Sequence, residues 1–273
     1  MRHMTINRSS LVLLLILFAC KKQPQVYEYR ETGPPVLKAN PVAVNEVVAG
    51  YYSALPVHYD QTTILYPLLV CLHGAGQIGN GRSQLDKVLL EAVPQLLSEK
   101  LFPPSFKVNG QYYSFVVLIP QFKQQPSPAQ VLSFITYAKS NYRIDTTRIY
   151  MTGLSEGSTV LCDAAAEMPR QFAAIVPIAG ESRSGDLQAK CRSIAEGNLP
   201  VWLLHNGQDQ LIPVQYAWNF ITILNSFHPL IPPKYTELLP FGLGNHDAWT
   251  HATDPAFKED GKNIYEWMLQ YHR

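Results

Sequence analysis

The chain has 273 residues, 47% of them apolar and 16% charged, which is the composition of a globular protein with room for one substantial core. Its formal net charge is +1, and Lys and Arg occur as singles and short pairs, so there is no basic face for phosphates and no nucleic-acid partner is expected. The 15 Tyr and 4 Trp suit a protein that handles sugars or aromatic groups, although packing explains any single ring at least as well.

Residues 1–19 read as a leader. Arg2 and Arg8 flank its start, and residues 11–18 are an unbroken apolar run, too short to cross a bilayer and of the right length for a signal-peptide core. The run ends in Leu17-Phe18-Ala19-Cys20, which resembles the lipobox of bacterial lipoproteins. That resemblance implies cleavage before Cys20, a thioether to diacylglycerol and an acylated N-terminus. The protein would then be anchored in the bacterial cell envelope, on its periplasmic or outer-surface face. Residues 20–45 are polar and Pro-rich with little periodicity, and read as a flexible tether. The folded domain is expected over residues 46–273.

Residues 47–55 mix β-branched and aromatic side chains and predict a first strand. Asp60-Gln61-Thr62-Thr63 predicts a turn. Residues 66–72 are continuously apolar, as in a strand covered on both faces. A glycine-rich loop follows at residues 73–81. Residues 83–99 have helical spacing, with Pro94 expected to kink or split the helix. Residues 115–119 predict a buried strand closed by Pro120-Gln121, and residues 128–142 an amphipathic helix with Pro128 in its first turn. Residues 148–152 predict a strand and residues 158–166 a helix. Strands at 172–179, 200–205 and 235–239 alternate with helices at 187–196, 213–227 and 261–271. Strands alternating with helices, with apolar central strands, define an α/β protein with a mostly parallel sheet.

Three cysteines lie in this domain. Cys71 sits in an apolar run and reads as a buried thiol. Cys162 and Cys191 either pair or stay free, and the sequence leaves both open. Their spacing fits no metal site.

Between the strand at 148–152 and the helix at 158–166 stands Gly153-Leu154-Ser155-Glu156-Gly157. A Gly-x-Ser-x-Gly turn between strand and helix presents the serine on a sharp bend, above the free N–H groups of the helix. Ligands of open α/β sheets gather at the carboxyl ends of the strands. Three other such ends carry polar groups: His73-Gly74-Ala75-Gly76, Asp209 after residues 200–205, and His246 after residues 235–239. The chain order Ser155, Asp209, His246 is that of the α/β-hydrolase triad.

With these motifs the chain resembles α/β-hydrolase-fold esterases of the group that includes feruloyl esterases, acetylxylan esterases and polyhydroxybutyrate-depolymerase-like proteins. The matching pieces are Leu72 to Gly76, Ile149 to Ser155, His205 to Asp209 and Gly244 to Trp249, and the likeness spans about residues 50–270. It implies an α/β-hydrolase fold, a mostly parallel sheet with helices on both faces. The short gaps between strands leave no space for a large cap domain. It also implies hydrolysis of esters through an acyl-enzyme, without metal or organic cofactor, on a small ester or an acylated polysaccharide such as an acetyl or feruloyl ester.

The implied roles follow from the chemistry. Ser155 is the nucleophile, His246 the base that takes its proton, and Asp209 the acid that orients the imidazole. The oxyanion would accept from the backbone N–H of Glu156 and from the loop after residue 73, at Ala75 or alternatively Gly76. His251 rivals His246 as the base, and Asp247 and Asp254 rival Asp209. His73 is expected to hold its loop by hydrogen bonds, and His58, His205, His228 and His272 to be structural. One departure is Glu156, where the group has an apolar residue. Its carboxylate would sit favourably at a helix N-terminus and disfavour anionic esters. Two other readings stand beside the esterase: a serine peptidase of the prolyl-oligopeptidase type, which shares the elbow and chain order, and a lipid-anchored binding protein on an inactive hydrolase fold.

Overall fold

The computed structural model describes residues 30–182 and 185–273. The leader, Cys20 and the first part of the expected tether lie outside the described residues.

The elements, in chain order, are strands β1 (Val36–Asn40), β2 (Val48–Leu55) and β3 (Tyr66–Leu72), then helix α1 (Ala92–Ser98). A short hairpin of β4 (Phe106–Val108) and β5 (Gln111–Tyr113) follows, with β6 (Val116–Phe122), α2 (Pro128–Asn141), β7 (Ile144–Leu154) and α3 (Glu156–Glu167) after it. The chain continues through β8 (Ala174–Ile178), α4 (Leu187–Glu196), β9 (Trp202–Asn206), α5 (Gln215–Ser226) and β10 (Lys234–Leu238) to α6 (Trp249–Ala252) and α7 (Ile264–Met268). Eight strands form one sheet in the order β1-β2-β6-β3-β7-β8-β9-β10. The pairs β1–β2 and β2–β6 are antiparallel, and every pair from β6 through β10 is parallel.

The alternation of side chains along each strand divides the core in two. Leu68, Val70 and Leu72 of β3 face one side, with Val116 and Leu118 of β6 and Ile149 and Met151 of β7. That side is covered by α2, α3, α4 and α5 through Phe134, Leu161, Ile194 and Phe220. Leu69 and Cys71 face the other side, with Val117, Ile119 and Tyr150, and meet Val93, Phe106, Tyr265 and Met268. The central strands are buried along their whole length because both faces are covered, which is why they read as continuous apolar runs. No helix among the described residues is long and apolar enough to cross a membrane.

Several expectations are corrected. Residues 36–40 are not tether: they form β1, an edge strand registered against β2 from Val36 opposite Leu55 to Asn40 opposite Tyr51. Glu31, also placed in the tether, is fully buried, with its carboxylate 2.7 Å from His58 Nδ1 and its backbone N–H donating to Ser105 Oγ. The helix expected over residues 83–99 is two pieces, a 3-10 turn over Leu85–Leu89 and then α1. The break falls before Pro94, which occupies the first turn of α1, where its missing N–H costs nothing. The final helix is confined to Ile264–Met268 and opens with a capping box between Asn263 and Glu266. The β4–β5 hairpin was not anticipated. Its turn is Asn109-Gly110, with φ of 51° and 83°, the left-handed pair that a two-residue hairpin loop requires. Cys162 and Cys191 are free buried thiols, both packed in the same side of the core.

Candidate active site

β7 runs eleven residues to Leu154, and the chain then reverses through Ser155 into α3. Ser155 is held at φ 51°, ψ −120°, a conformation that side chains with a Cβ adopt only where the surroundings enforce it. The enforcement is visible. The Ser155 N–H donates to Ile178 O at 2.9 Å, and its carbonyl accepts from Ser158 and Thr159. The glycines on either side let backbone pass backbone. A Cβ on Gly153 would stand 2.5 Å from Gly157 O, and one on Gly157 would stand 2.4 Å from Leu72 O and 2.5 Å from His73 O. Gly180, which sequence reading did not single out, is needed in the same way: its Cβ would meet Ser155 O at 2.4 Å. Gly157→Ala is therefore expected to destabilise the fold by about 1–3 kcal/mol, because neither carbonyl belongs to a side chain that can move aside. In a chain of this size that is a drop of several degrees in melting temperature, accompanied by a displaced Ser155.

His246 arrives on the loop after β10. Gly244 and Asn245 both take left-handed φ values, 62° and 57°, and Asn206 Nδ2 donates to Asn245 O at 2.7 Å. The Gln210 N–H donates to Gly244 O, tying this loop to the one after β9. Trp249 meets the imidazole edge to face at 5.2 Å. His246 Nε2 lies 2.9 Å from Ser155 Oγ, and Nδ1 lies 2.6 Å from Asp209 Oδ2. An ionised carboxylate only accepts, so Nδ1 carries the proton and the Nε2 lone pair faces the serine hydroxyl.

Asp209 stands just past β9 with its carboxylate fully buried. Oδ1 accepts from the N–H groups of Leu211 and Ile212 at 2.8 and 2.9 Å, which leaves Oδ2 for the imidazole. His205, expected to be structural, sits behind it. Its Nε2 donates to Ile212 O at 2.8 Å and lies 3.3 Å from Asp209 Oδ2. The rival groups are engaged elsewhere. His251 stacks between Phe241 and Phe257, Asp247 accepts from Thr250 at the start of α6, and Asp254 accepts from Ala256.

An open cleft is lined by Ala75, Gln125, Ser155, Glu156, Thr159, Leu211 and Ile212. Glu156 is the first residue of α3, so its N–H has no acceptor within the helix and is free for a ligand. Ala75 shares the cleft with Ser155, whereas Gly76 is not among its lining residues. His73 holds this loop, its Nδ1 donating to Gly74 O at 2.7 Å and its Nε2 accepting from the Phe122 N–H at 3.0 Å.

Burial lowers the His73 pKa to about 4, against an opposing contribution from the Gly74 carbonyl, and burial also lowers that of His205. These rings are neutral in the fold and protonate more readily once unfolded. Their contribution is fully present above the ordinary histidine value of 6.5 and is lost as pH falls toward about 4. His73 alone is expected to remove on the order of 3 kcal/mol across that window. The urea midpoint is expected to fall as pH is lowered from 7 to 4, shallowly near 7 and most steeply between 6.5 and about 4.

A parallel sheet flanked by helices, with a strained serine at the end of a central strand and an acid and a histidine on later strand-end loops, is the α/β-hydrolase fold. No protein-family model matches the sequence, and no curated protein matches it. Solved structures do share the fold. The chain is similar to a thermostable esterase at 24% identity and a TM-score of 0.57, covering 88% of this chain and 64% of that one. It is also similar to a feruloyl esterase module from Clostridium thermocellum, solved with sinapinate, at 13% identity and TM-score 0.56, covering 88% of this chain and 94% of that module. A ferulic acid esterase matches at 13% identity and TM-score 0.56, over 83% of this chain and 97% of its own.

Proposed function

We propose that this chain is a serine carboxylesterase that works through an acyl-enzyme. The observation that carries the reading is the continuous line from Ser155 Oγ through His246 to the buried Asp209, at 2.9 and 2.6 Å. As Oγ attacks the ester carbonyl, His246 Nε2 takes its proton, and the imidazolium is stabilised by Asp209. The carbonyl oxygen, now an anion, accepts from the N–H groups of Glu156 and Ala75. His246 then gives its proton to the leaving alcohol, the acyl group stays on Ser155, and water repeats the sequence in reverse.

The open cleft of about 480 Å³ suits an ester carried on a larger body, and acetyl or feruloyl groups on polysaccharide are the substrates we favour. The esterases among the similar structures support that direction. Anchoring through Cys20 belongs to the same proposal and rests on the Leu17 to Cys20 motif, with the enzyme displayed on the cell envelope. The reading is tested by comparing 4-nitrophenyl acetate with a peptide anilide. Turnover of the acetate, or of methyl ferulate, with none of the anilide supports an esterase; the reverse order makes the chain a peptidase, and turnover of none of the three with Ser155 unlabelled by a fluorophosphonate favours a binding protein.

A further inference from the structure

The cleft over Ser155 has two unlike walls. Leu211 and Ile212, on the loop held by Asp209, supply an apolar one. Glu156 and Thr159, three residues apart and so on one face of α3, supply a polar one. The reaction as described uses only the backbone N–H of Glu156, which leaves both side chains without a task.

Glu156 carries the one charge among the residues that line the cleft. It is half-buried, and its carboxylate has no hydrogen-bond or ion-pair partner among the described residues. Its place in the first turn of a helix makes the charge tolerable without bonding it. Thr159 is a second unsatisfied group: it is 5% exposed, and its hydroxyl is buried without a partner. An unbonded buried hydroxyl is costly and marks a place where a ligand completes the bonding. Gln125, exposed at the same cleft, adds an amide.

A carboxylate only accepts, and a threonine hydroxyl both donates and accepts, so the pair suits neighbouring hydroxyls such as those of a sugar ring. Charge narrows the choice. A bare carboxylate beside a forming oxyanion opposes it, and substrate donors that cover the carboxylate lessen that opposition. An ammonium is favoured in the same place, and a second carboxylate is repelled. Building on the esterase reading, we infer that Glu156 and Thr159 form the sugar subsite of Ser155 and select esters of neutral or amino sugars, with free hydroxyls flanking the ester, against those of uronic acids. The apolar wall at Leu211 and Ile212 is left for the acyl group.

The test uses four acetates with the full chain. Three are methyl glucoside, methyl 6-amino-6-deoxyglucoside and methyl glucuronide, each acetylated at the 3-hydroxyl; the fourth is cyclohexyl acetate. The sugars share a ring and differ in charge, and the cyclohexyl ester lacks the hydroxyls. Each kcat/KM is divided by the rate constant of the same ester with hydroxide, which removes intrinsic reactivity. The glucoside is expected to exceed cyclohexyl acetate by at least about tenfold. It should exceed the glucuronide by about fivefold, with the amino sugar at or above the glucoside. Raising the salt to about 1 M should compress the charge ranking in the unaltered protein. Glu156→Gln keeps the N–H and the size of the side chain, and should bring the ratio of amino sugar to glucuronide near 1. Thr159→Val should lower the ratio of glucoside to cyclohexyl acetate and leave the charge ranking in place. Only ratios are read, so a general loss of activity in a variant decides nothing by itself. Equal normalised constants for the four acetates, a ranking that neither salt nor Glu156→Gln changes, or turnover of 4-nitrophenyl acetate with none of the sugar acetates overturns the inference and leaves the esterase intact. Absence of turnover for all of these esters overturns the esterase reading itself.

Discussion

Ser155→Ala is expected to lower kcat for any ester the chain hydrolyses by on the order of 10⁶, with little change in melting temperature. Among the described residues, the serine Oγ is the group placed against the His246 lone pair, at 2.9 Å. The neighbouring Ser158 hydroxyl offers no substitute, because it donates to Gly180 O at 2.6 Å and is fully buried. The substitution removes one atom at the edge of a cleft, and the helix, the glycine crossings and the Ile178 hydrogen bond keep their partners. Initial rates with 4-nitrophenyl acetate and a thermal melt decide the matter together. A variant that keeps more than about a thousandth of the activity would place the nucleophile elsewhere, since oxyanion donors and binding alone supply only a residual of about 10³–10⁴ over water.

Asp209→Asn should cost about 10⁴-fold in kcat for a different reason. The side chain keeps its shape, and its oxygen can still accept from Leu211 and Ile212, which sit 2.8 and 2.9 Å from Oδ1. The amide nitrogen then faces His246 Nδ1, where the carboxylate oxygen stood at 2.6 Å. An N–H cannot accept, so the imidazole proton moves to Nε2 and points at the serine. The base is present, in place, and in the wrong tautomer. Because His246 stays in the loop tied by Asn206 and Gln210, the loss should appear in kcat far more than in KM. Equal losses in both would mean that Asp209 acts by holding the loop instead.

The elbow was legible in the sequence because its requirements are local. Two glycines at fixed spacing, a strand before and a helix after are enough to define the bend. The parallel strands were legible because cover on both faces leaves nothing polar in them. β1 was not, since an edge strand with one partner and open faces carries no alternation: Val36 and Lys38 read like tether. Glu31 gave no signal of burial because its reason to be buried, His58, lies in another part of the chain. The β4–β5 hairpin did carry a signal, Asn109-Gly110, between strands too short to show a period. The split in the expected long helix came from the extended Glu91 and the left-handed Ala92, whereas Pro94 drew attention by its type alone. Those same two residues carry Glu91 to Gln77, a meeting between side chains 14 positions apart on irregular backbone that no periodicity announces.

The central claim, that Ser155 attacks an acyl group with His246 as its base, is tested most directly with a fluorophosphonate followed by peptide mapping. The account predicts a single phosphonyl adduct on Ser155, absent from Ser155→Ala, slowed severely in Asp209→Asn, and suppressed by a competing ester that is itself turned over. An adduct on another residue, or ester turnover with Ser155 left unlabelled, would contradict it.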